Sequence, residues 1–317
     1  SGSGSGSGSR RHSSRSGGSV GPIVNLCSRS VDRSASALSL LRERMNQRAI
    51  FTLCRELDIM CMNGIQVGQV TEFCGVPGIG KTQLGMQLAC TVQIPKILGG
   101  TGGQAVYIDT EGSFMPRRAQ QIAKGVKRHL DFIISQRDDK KMQSAAKSLT
   151  SDTILKNIFC FRVYDHVDQQ LCIQNLEHFV RQNPKVKIVV LDSVAFHFRH
   201  GFTDDYAKRS RMLAKMANTL TALARTQNLA VVIINHVTTK ITATSASIQP
   251  ALGPVWAHSC TNRIMLEWQG KKRIARLVKS PSCKTRSIQF EIGLDGIRDV
   301  GYYDDHMQHP SPKRIRT

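Results

Sequence analysis

Gly75-Val76-Pro77-Gly78-Ile79-Gly80-Lys81-Thr82 fills every fixed position of the pattern G-x-x-x-x-G-K-[ST]. Glycines at these places let the backbone curl until successive N–H groups point at phosphate oxygens. Lys81 would bring charge to the β- and γ-phosphates, and the Thr82 hydroxyl would ligate Mg²⁺. The flanks agree. Val70–Cys74 reads as a short strand, and Gln83–Val92 as a helix whose N-terminal dipole favours an anion. The expected ligand is a nucleoside triphosphate.

Such a loop needs a carboxylate at the end of a neighbouring buried strand, to hold a magnesium-bound water. Asp192 stands there, after the apolar run Ile188-Val189-Val190-Leu191. A strand-end Asp can also merely cap the next turn. Hydrolysis needs a further carboxylate that orients water in line with the γ-phosphate. Glu111, in Asp109-Thr110-Glu111-Gly112, follows the apolar strand Ala105–Ile108 at the edge where ligands collect in α/β sheets. A protein that only binds nucleotide could carry a turn glutamate at the same place.

The elements that must position these groups alternate along the chain. Pro116–Ile134, Val167–Arg181 and Tyr206–Thr226 read as helices. Ile158–Val163, Lys187–Asp192 and Leu229–Asn235 read as buried strands. Gln136–Ser151 is polar and reads as an exposed connection with some helix. Continuous apolar strands separated by helices predict a mainly parallel sheet covered on both faces. Arg263–Trp268, Arg273–Val278 and Ser287–Ile292 alternate instead and predict a C-terminal antiparallel meander. Residues 1–37 read as a flexible tail that opens on a Ser/Gly linker, 38–299 as one α/β core, and 300–317 as a basic tail with a candidate nuclear address at Pro312–Arg316.

Composition narrows the function classes. The 317 residues carry 44 basic and 23 acidic side chains, a net charge of +21, which favours polyanionic partners and nucleic acid above all. The nine cysteines form no C-x-x-C pair and read as reduced thiols. With no secretory signal and no apolar run near eighteen residues, the expectation is a soluble intracellular protein without membrane contact.

The order of the P-loop, Tyr107-Ile108-Asp109-Thr110-Glu111-Gly112-Ser113-Phe114, Leu191-Asp192-Ser193 and Ile234-Asn235-His236-Val237 resembles the RecA-type recombinase core of the eukaryotic strand-exchange recombinases and their paralogues. Gly80–Leu84, Met86–Ala89, Phe196–His200, Pro250–Gly253 and Lys279-Ser280-Pro281 are most similar to the C-type paralogues. The resemblance implies an ATP- and Mg²⁺-dependent, slowly hydrolysing, DNA-binding nuclear protein of homologous recombination and double-strand break repair. Its implied partners are single- and double-stranded DNA without sequence preference, other paralogues and the strand-exchange recombinase. A structural adaptor glued together by ATP is the alternative.

The resemblance also assigns residues. Glu111 falls on the catalytic glutamate, with Lys81 beside it. The loop Gly75–Thr82, with Gln83, cradles nucleotide, and Arg118 packs over adenine. Phe198 to about Phe202 would be the first DNA loop and His236 to about Trp256 the second, both mobile, with Arg199, His200 and Lys240 on phosphates. Lys279 falls in a cap over the adjacent subunit's ATP, where it would act in trans in place of a cation-recruiting acid. A solvated lysine is the plain alternative. His236 stands where strand-exchange members usually have Gln, a link from γ-phosphate to the second loop, and His258 matches another nucleotide-sensing position. No N-terminal helix–hairpin–helix domain or Phe-x-x-Ala polymerisation segment is read before Leu38. Hetero-oligomers are therefore expected ahead of homo-oligomers.

Overall fold

The computed structural model describes residues 1–4, 36–199, 205–241 and 246–302, with the backbone alone at 40, 43–46, 240–241, 246–247 and 254–255. The chain divides into two units, Ser1–Gln47 and Arg48–Thr317. Helix α1 (Ala37–Asn46) lies in the first. The second opens with α2 (Arg55–Met60), β1 (Val70–Gly75), α3 (Lys81–Thr91), β2 (Gln104–Asp109) and α4 (Pro116–Ser135). There follow α5 (Lys140–Ser148), α6 (Ser151–Lys156), β3 (Ile158–Arg162), α7 (His166–Gln182), β4 (Val186–Asp192), α8 (Tyr206–Thr226) and β5 (Ala230–Asn235). The chain continues with β6 (Val237–Ile241), β7 (Ala246–Pro250), α9 (Gly253–Ala257), β8 (Asn262–Gln269), β9 (Lys272–Lys279), β10 (Ser287–Gly293) and β11 (Gly296–Arg298).

Nine strands form one sheet in the order β11-β10-β9-β8-β1-β5-β4-β2-β3. From β8 through β3 the pairing is parallel, and from β8 to β11 antiparallel. The expected parallel sheet and meander are both present, joined in a single sheet. Side chains alternate between its faces even where the sequence is uniformly apolar. On β5, Val232 and Ile234 pack into the core on the α3/α4 side, while Val231 and Ile233 pack into the core on the α7/α8 side. Burial on both faces explains why these strands show no polar alternation.

The polar stretch 136–151, expected as an exposed connection with some helix, holds α5 and the start of α6. Each has a side-chain cap at its start: Asp139 accepts from the amides of Lys141 and Met142, and Thr150 forms a capping box with Thr153. The second expected DNA loop also differs. It is an antiparallel hairpin, β6 paired to β7 from Val237↔Pro250 to Ile241↔Ala246.

One buried carboxylate ties the hairpin to the sheet. Glu72 of β1 has no exposed surface. Its Oε1 accepts from Asn235 Nδ2 at 2.7 Å and Trp256 Nε1 at 2.8 Å. Its Oε2 pairs with Arg263, Nε at 2.6 Å and Nη2 at 2.5 Å, and accepts from Cys260 Sγ at 3.3 Å. Removing the carboxylate would take from a guanidinium and three neutral donors their acceptor inside the fold. Glu72→Ala is therefore expected to lower unfolding stability by about 3–5 kcal/mol, read from urea denaturation midpoints at constant m-value. A loss below about 1 kcal/mol would show that water replaces the carboxylate at no great cost.

Candidate nucleotide site and the adjoining hairpin

The sheet register gathers the candidate residues. Asp109 lies opposite Asp192, Asp192 opposite Ile234, and Cys74 opposite Asn235. The chain segments that leave β1, β2, β4 and β5 thus emerge side by side at one edge of the sheet, as ligand sites in parallel sheets require. Gly78 and Gly80 have φ of +76° and +115°, the left-handed region that lets the loop curl back on itself. A Cβ at Gly78 would meet nothing within 4 Å, so the loop opens outward there. Gly75 is a glycine for another reason: a Cβ would come within 2.6 Å of the Leu266 carbonyl oxygen.

Lys81 begins α3 directly after this turn and is buried. Its Nζ donates to the carbonyls of Gly75 and Val76, both at 2.9 Å. Burial lowers its pKa, against the pull of the Asp192 and Glu111 charges. Asp192 accepts from Tyr107 Oη at 2.6 Å and from the Thr82 hydroxyl. Burial pushes its carboxyl up, although both hydrogen bonds favour the ionised form. A hydroxyl beside a carboxylate, next to a buried ammonium and an outward-opening glycine loop, is a hard-oxygen donor set that fits a nucleotide-bound Mg²⁺.

Glu111 is held by a scaffold that its own side chain does not build. Asp109 Oδ1 accepts the amides of Glu111, Gly112 and Ser113 at 3.3, 2.9 and 3.1 Å, and Oδ2 accepts that of Phe114 at 3.3 Å. Arg162 of β3 pairs with the same Oδ2 at 3.0 Å. The Glu111 carboxylate accepts from Ser193 Oγ and lies 2.6 Å from His236 Nε2. Burial alone would raise this carboxyl. The bonds from His236 and Ser193 and the charge of Lys81 outweigh burial and hold it below the usual carboxylate range.

The remaining candidates divide. Arg118 does not stand free: Nε donates to Gln83 Oε1 at 2.6 Å, and its other nitrogens to Gln121 Oε1 and the carbonyls of Gly293 and Leu294. It bridges α3, α4 and the meander close to the P-loop helix. Arg199 is exposed, and its charge is felt at Lys81. Phe198, the expected start of the first DNA loop, is fully buried in the α7/α8 core, so only residues after it can face DNA. Trp256, the expected end of the second loop, is 1% exposed and bonded to Glu72, and it closes the loop as a core anchor. His200 lies outside the described residues, as does the turn 242–245, while Lys240 is placed on β6 by its backbone.

Lys279 stands apart from the P-loop. It pairs in register with Arg263, which pairs with Glu72, upstream of Gly75 on β1. Its Nζ donates to the carbonyls of Ala257 and His258 at 3.2 Å each, holding the end of α9. With Arg225, His258 and Ser280 it lines an open pocket of about 520 Å³. Tyr107 and Ser193 are site residues that sequence reasoning passed over, although both sit inside the segments that carried the resemblance.

Many folds carry a P-loop. Here β1 lies between β5 and β8, and the meander extends the same sheet. That arrangement defines a RecA-like core. Residues 43–300 match the Rad51 family, and the chain belongs to it. It is 40% identical over 281 residues to "DNA repair protein RAD51 homolog 3" of Cricetulus griseus, covering 89% of this chain and 76% of that protein. It is likewise 40% identical over 280 residues to the protein of the same name from Dictyostelium discoideum, covering 87% and 71%.

The Glu111 contacts have a pH signature. A carboxyl whose folded pKa lies below its unfolded value, about 4.3, stabilises the fold above that value. The contribution disappears as pH falls through the lowered folded value. Wild type and Glu111→Gln should therefore differ most in thermal stability near neutrality and converge as pH falls through the lowered folded value. A stability difference unchanged from pH 7 to pH 3 would mean that the carboxylate gains nothing from His236 and Ser193.

Proposed function

We propose that this chain is an ATP-dependent, DNA-binding recombinase paralogue. It works in homologous recombination and double-strand break repair, in the nucleus, in complexes with other paralogues and the strand-exchange recombinase. The observation that carries this reading is the convergence of Lys81, Thr82, Asp192 and Glu111 on one sheet edge, beside the root of the β6–β7 hairpin. Family membership and the names of the relatives support the recombination and repair setting.

The residues take distinct roles. The amides of Val76 and Gly78–Thr82 and the Lys81 ammonium bind the triphosphate, Gln83 joins the cradle, and Arg118 packs over the base. Thr82 and Asp192 hold the magnesium shell. Bound ATP and Mg²⁺ supply the scissile phosphoryl group and a cation that neutralises its charge. Glu111 orients the attacking water through its carboxylate. Arg199, His200 and Lys240 bind DNA phosphates, a contact that reads no sequence. Lys279 serves an adjacent subunit's ATP, and His258 a nucleotide-sensing role. The distance of Lys279 from this chain's own P-loop in sheet register favours its action in trans. Strand β3 pairs only with β2 among the described residues, and exposed Tyr164 and Leu171 lie nearby, a surface suited to a recombinase partner.

Three measurements test this. Saturating ATP·Mg²⁺ should stabilise wild type by about 2–4 kcal/mol in thermal shift, and Lys81→Ala should lose that gain. Glu111→Gln should keep ATP affinity within a few-fold while losing most phosphate release. Equal shifts in wild type and Lys81→Ala would remove the nucleotide assignment. Undiminished assembly and repair by a Glu111→Gln protein that no longer hydrolyses ATP would favour the adaptor reading. For DNA, the slope of log affinity against log salt should flatten by about one to two units in Arg199→Ala/Lys240→Ala. An unchanged slope would move the DNA surface to other cations.

A further inference from the structure

Gly85 is out of place by helix propensity. It stands inside α3, one turn beyond Lys81 and Thr82, and is buried with its neighbours Leu84 and Met86. Glycine weakens a helix interior relative to alanine, so a buried one needs a reason. The reason is a close approach. A Cβ at Gly85 would lie 3.1 Å from Val190 Cγ1, 3.3 Å from Tyr107 Oη and 3.4 Å from Tyr107 Cε2. Tyr107 and Val190 are register partners on β2 and β4, so the missing side chain makes room where two strands meet α3.

Tyr107 uses that room to reach the nucleotide site. Its side chain is fully buried, with the Phe114 ring centroid 4.7 Å from its own. The hydroxyl donates to Asp192 Oδ2 at 2.6 Å. Asp192 also accepts from the Thr82 hydroxyl, the other hard-oxygen group at the start of α3. With Oδ2 held by a phenol that cannot turn away, the plane of the carboxylate is set. Oδ1 is then the oxygen that can face a metal shell, and it faces in one direction.

A carboxylate fixed in this way does not suit all cations equally. Mg²⁺ demands near-ideal octahedral geometry, whereas Ca²⁺ accepts irregular shells and carboxylates that bind through one oxygen or two. We propose that Tyr107 is a positioning residue that sets the metal preference of Asp192, and that Gly85 is the gap in α3 that lets it do so. The phenol holds Oδ2, aims Oδ1, and favours Mg²⁺ over Ca²⁺. This deepens the ATPase reading above and rests on it.

The test combines spectra of the nucleotide-free protein with metal titrations. In protein labelled with ¹³Cζ-tyrosine, the Tyr107 hydroxyl proton should give a slowly exchanging downfield signal, identified among the five tyrosines by its absence in Tyr107→Phe. It should move upfield in Asp192→Asn, whose neutral amide is a weaker acceptor. Thermal stabilisation at fixed ATP is then titrated with MgCl₂ and, separately, CaCl₂. Tyr107→Phe should raise the Mg²⁺ concentration for half-maximal stabilisation by about tenfold or more, as loss of a group that orients a ligand does. The Ca²⁺ half-point should rise by a few-fold at most. Gly85→Ala, which crowds the hydroxyl off its line, should shift the Mg²⁺ half-point in the same direction and add nothing to Tyr107→Phe in the double variant. A hydroxyl signal indifferent to Asp192→Asn overturns the proposal. So do equal rises for the two metals, or effects of Gly85→Ala and Tyr107→Phe that simply add, either of which would make Tyr107 a packing residue. The spectra need no nucleotide, so failure of this bond and failure of ATP binding, read from Lys81→Ala, are separable.

Discussion

A fully buried carboxylate has to be satisfied on all sides, and Glu72 meets that requirement with partners from four separate parts of the chain. Arg263 neutralises its charge from β8, Asn235 reaches it from the end of β5, Trp256 from α9, and Cys260 from the segment between. An unpaired carboxylate at this depth would cost more than most single interactions in a domain contribute. The central strands and the segment that closes the hairpin must therefore assemble together. Glu72 also lies on the strand that runs straight into the phosphate loop. The part of the molecule that would touch nucleotide and the part that would touch DNA share this one internal fastening.

Above that fastening the site has two layers of restraint. Sheet register brings Lys81, Asp192 and Glu111 together, and short side-chain bonds then orient them. Tyr107 fixes Asp192, Ser193 and His236 fix Glu111, and the Gly75 and Val76 carbonyls hold the Lys81 ammonium. Each of these groups is charged in a setting of reduced dielectric, so its protonation depends on its neighbours more than on solvent. The pocket around Lys279 and His258 belongs to a different region of the fold. On the reading proposed here one chain carries two unlike half-sites. Such an arrangement makes head-to-tail contacts, in which the surface given and the surface received differ.

Much of this was visible in the sequence, for physical reasons. The phosphate loop is legible because the backbone torsions at Gly78 and Gly80 favour glycine. The buried strands are legible because both faces are covered, which forces unbroken apolar runs. The hairpin was not. Its Val237–Ile241 and Ala246–Pro250 strands are rich in Thr, Ser and Ala and form their own two-stranded sheet, so no apolar alternation announces them. The burial of Phe198 and Trp256, which bound the two expected loops, was not legible either, because an aromatic near a loop looks the same in sequence whether it points outward or into the core. Glu72 reads as an ordinary strand residue. Its partners are 163, 184 and 191 positions away, and no local spacing reports that.

The loop that carries Glu111 owes its shape to Asp109, which gathers four consecutive amides and is itself braced by Arg162. Backbone amides do not depend on the side chains beside them. The position of Glu111 is therefore free to vary in identity while the loop keeps its path. Architecture and chemistry are written in different letters here, two residues apart. On the reading proposed here, a lineage of such proteins could lose or regain turnover by exchanging one side chain, with nucleotide-dependent assembly left in place. Duplicated copies can thus drift from motor to scaffold in a single step, without passing through an unfolded ancestor.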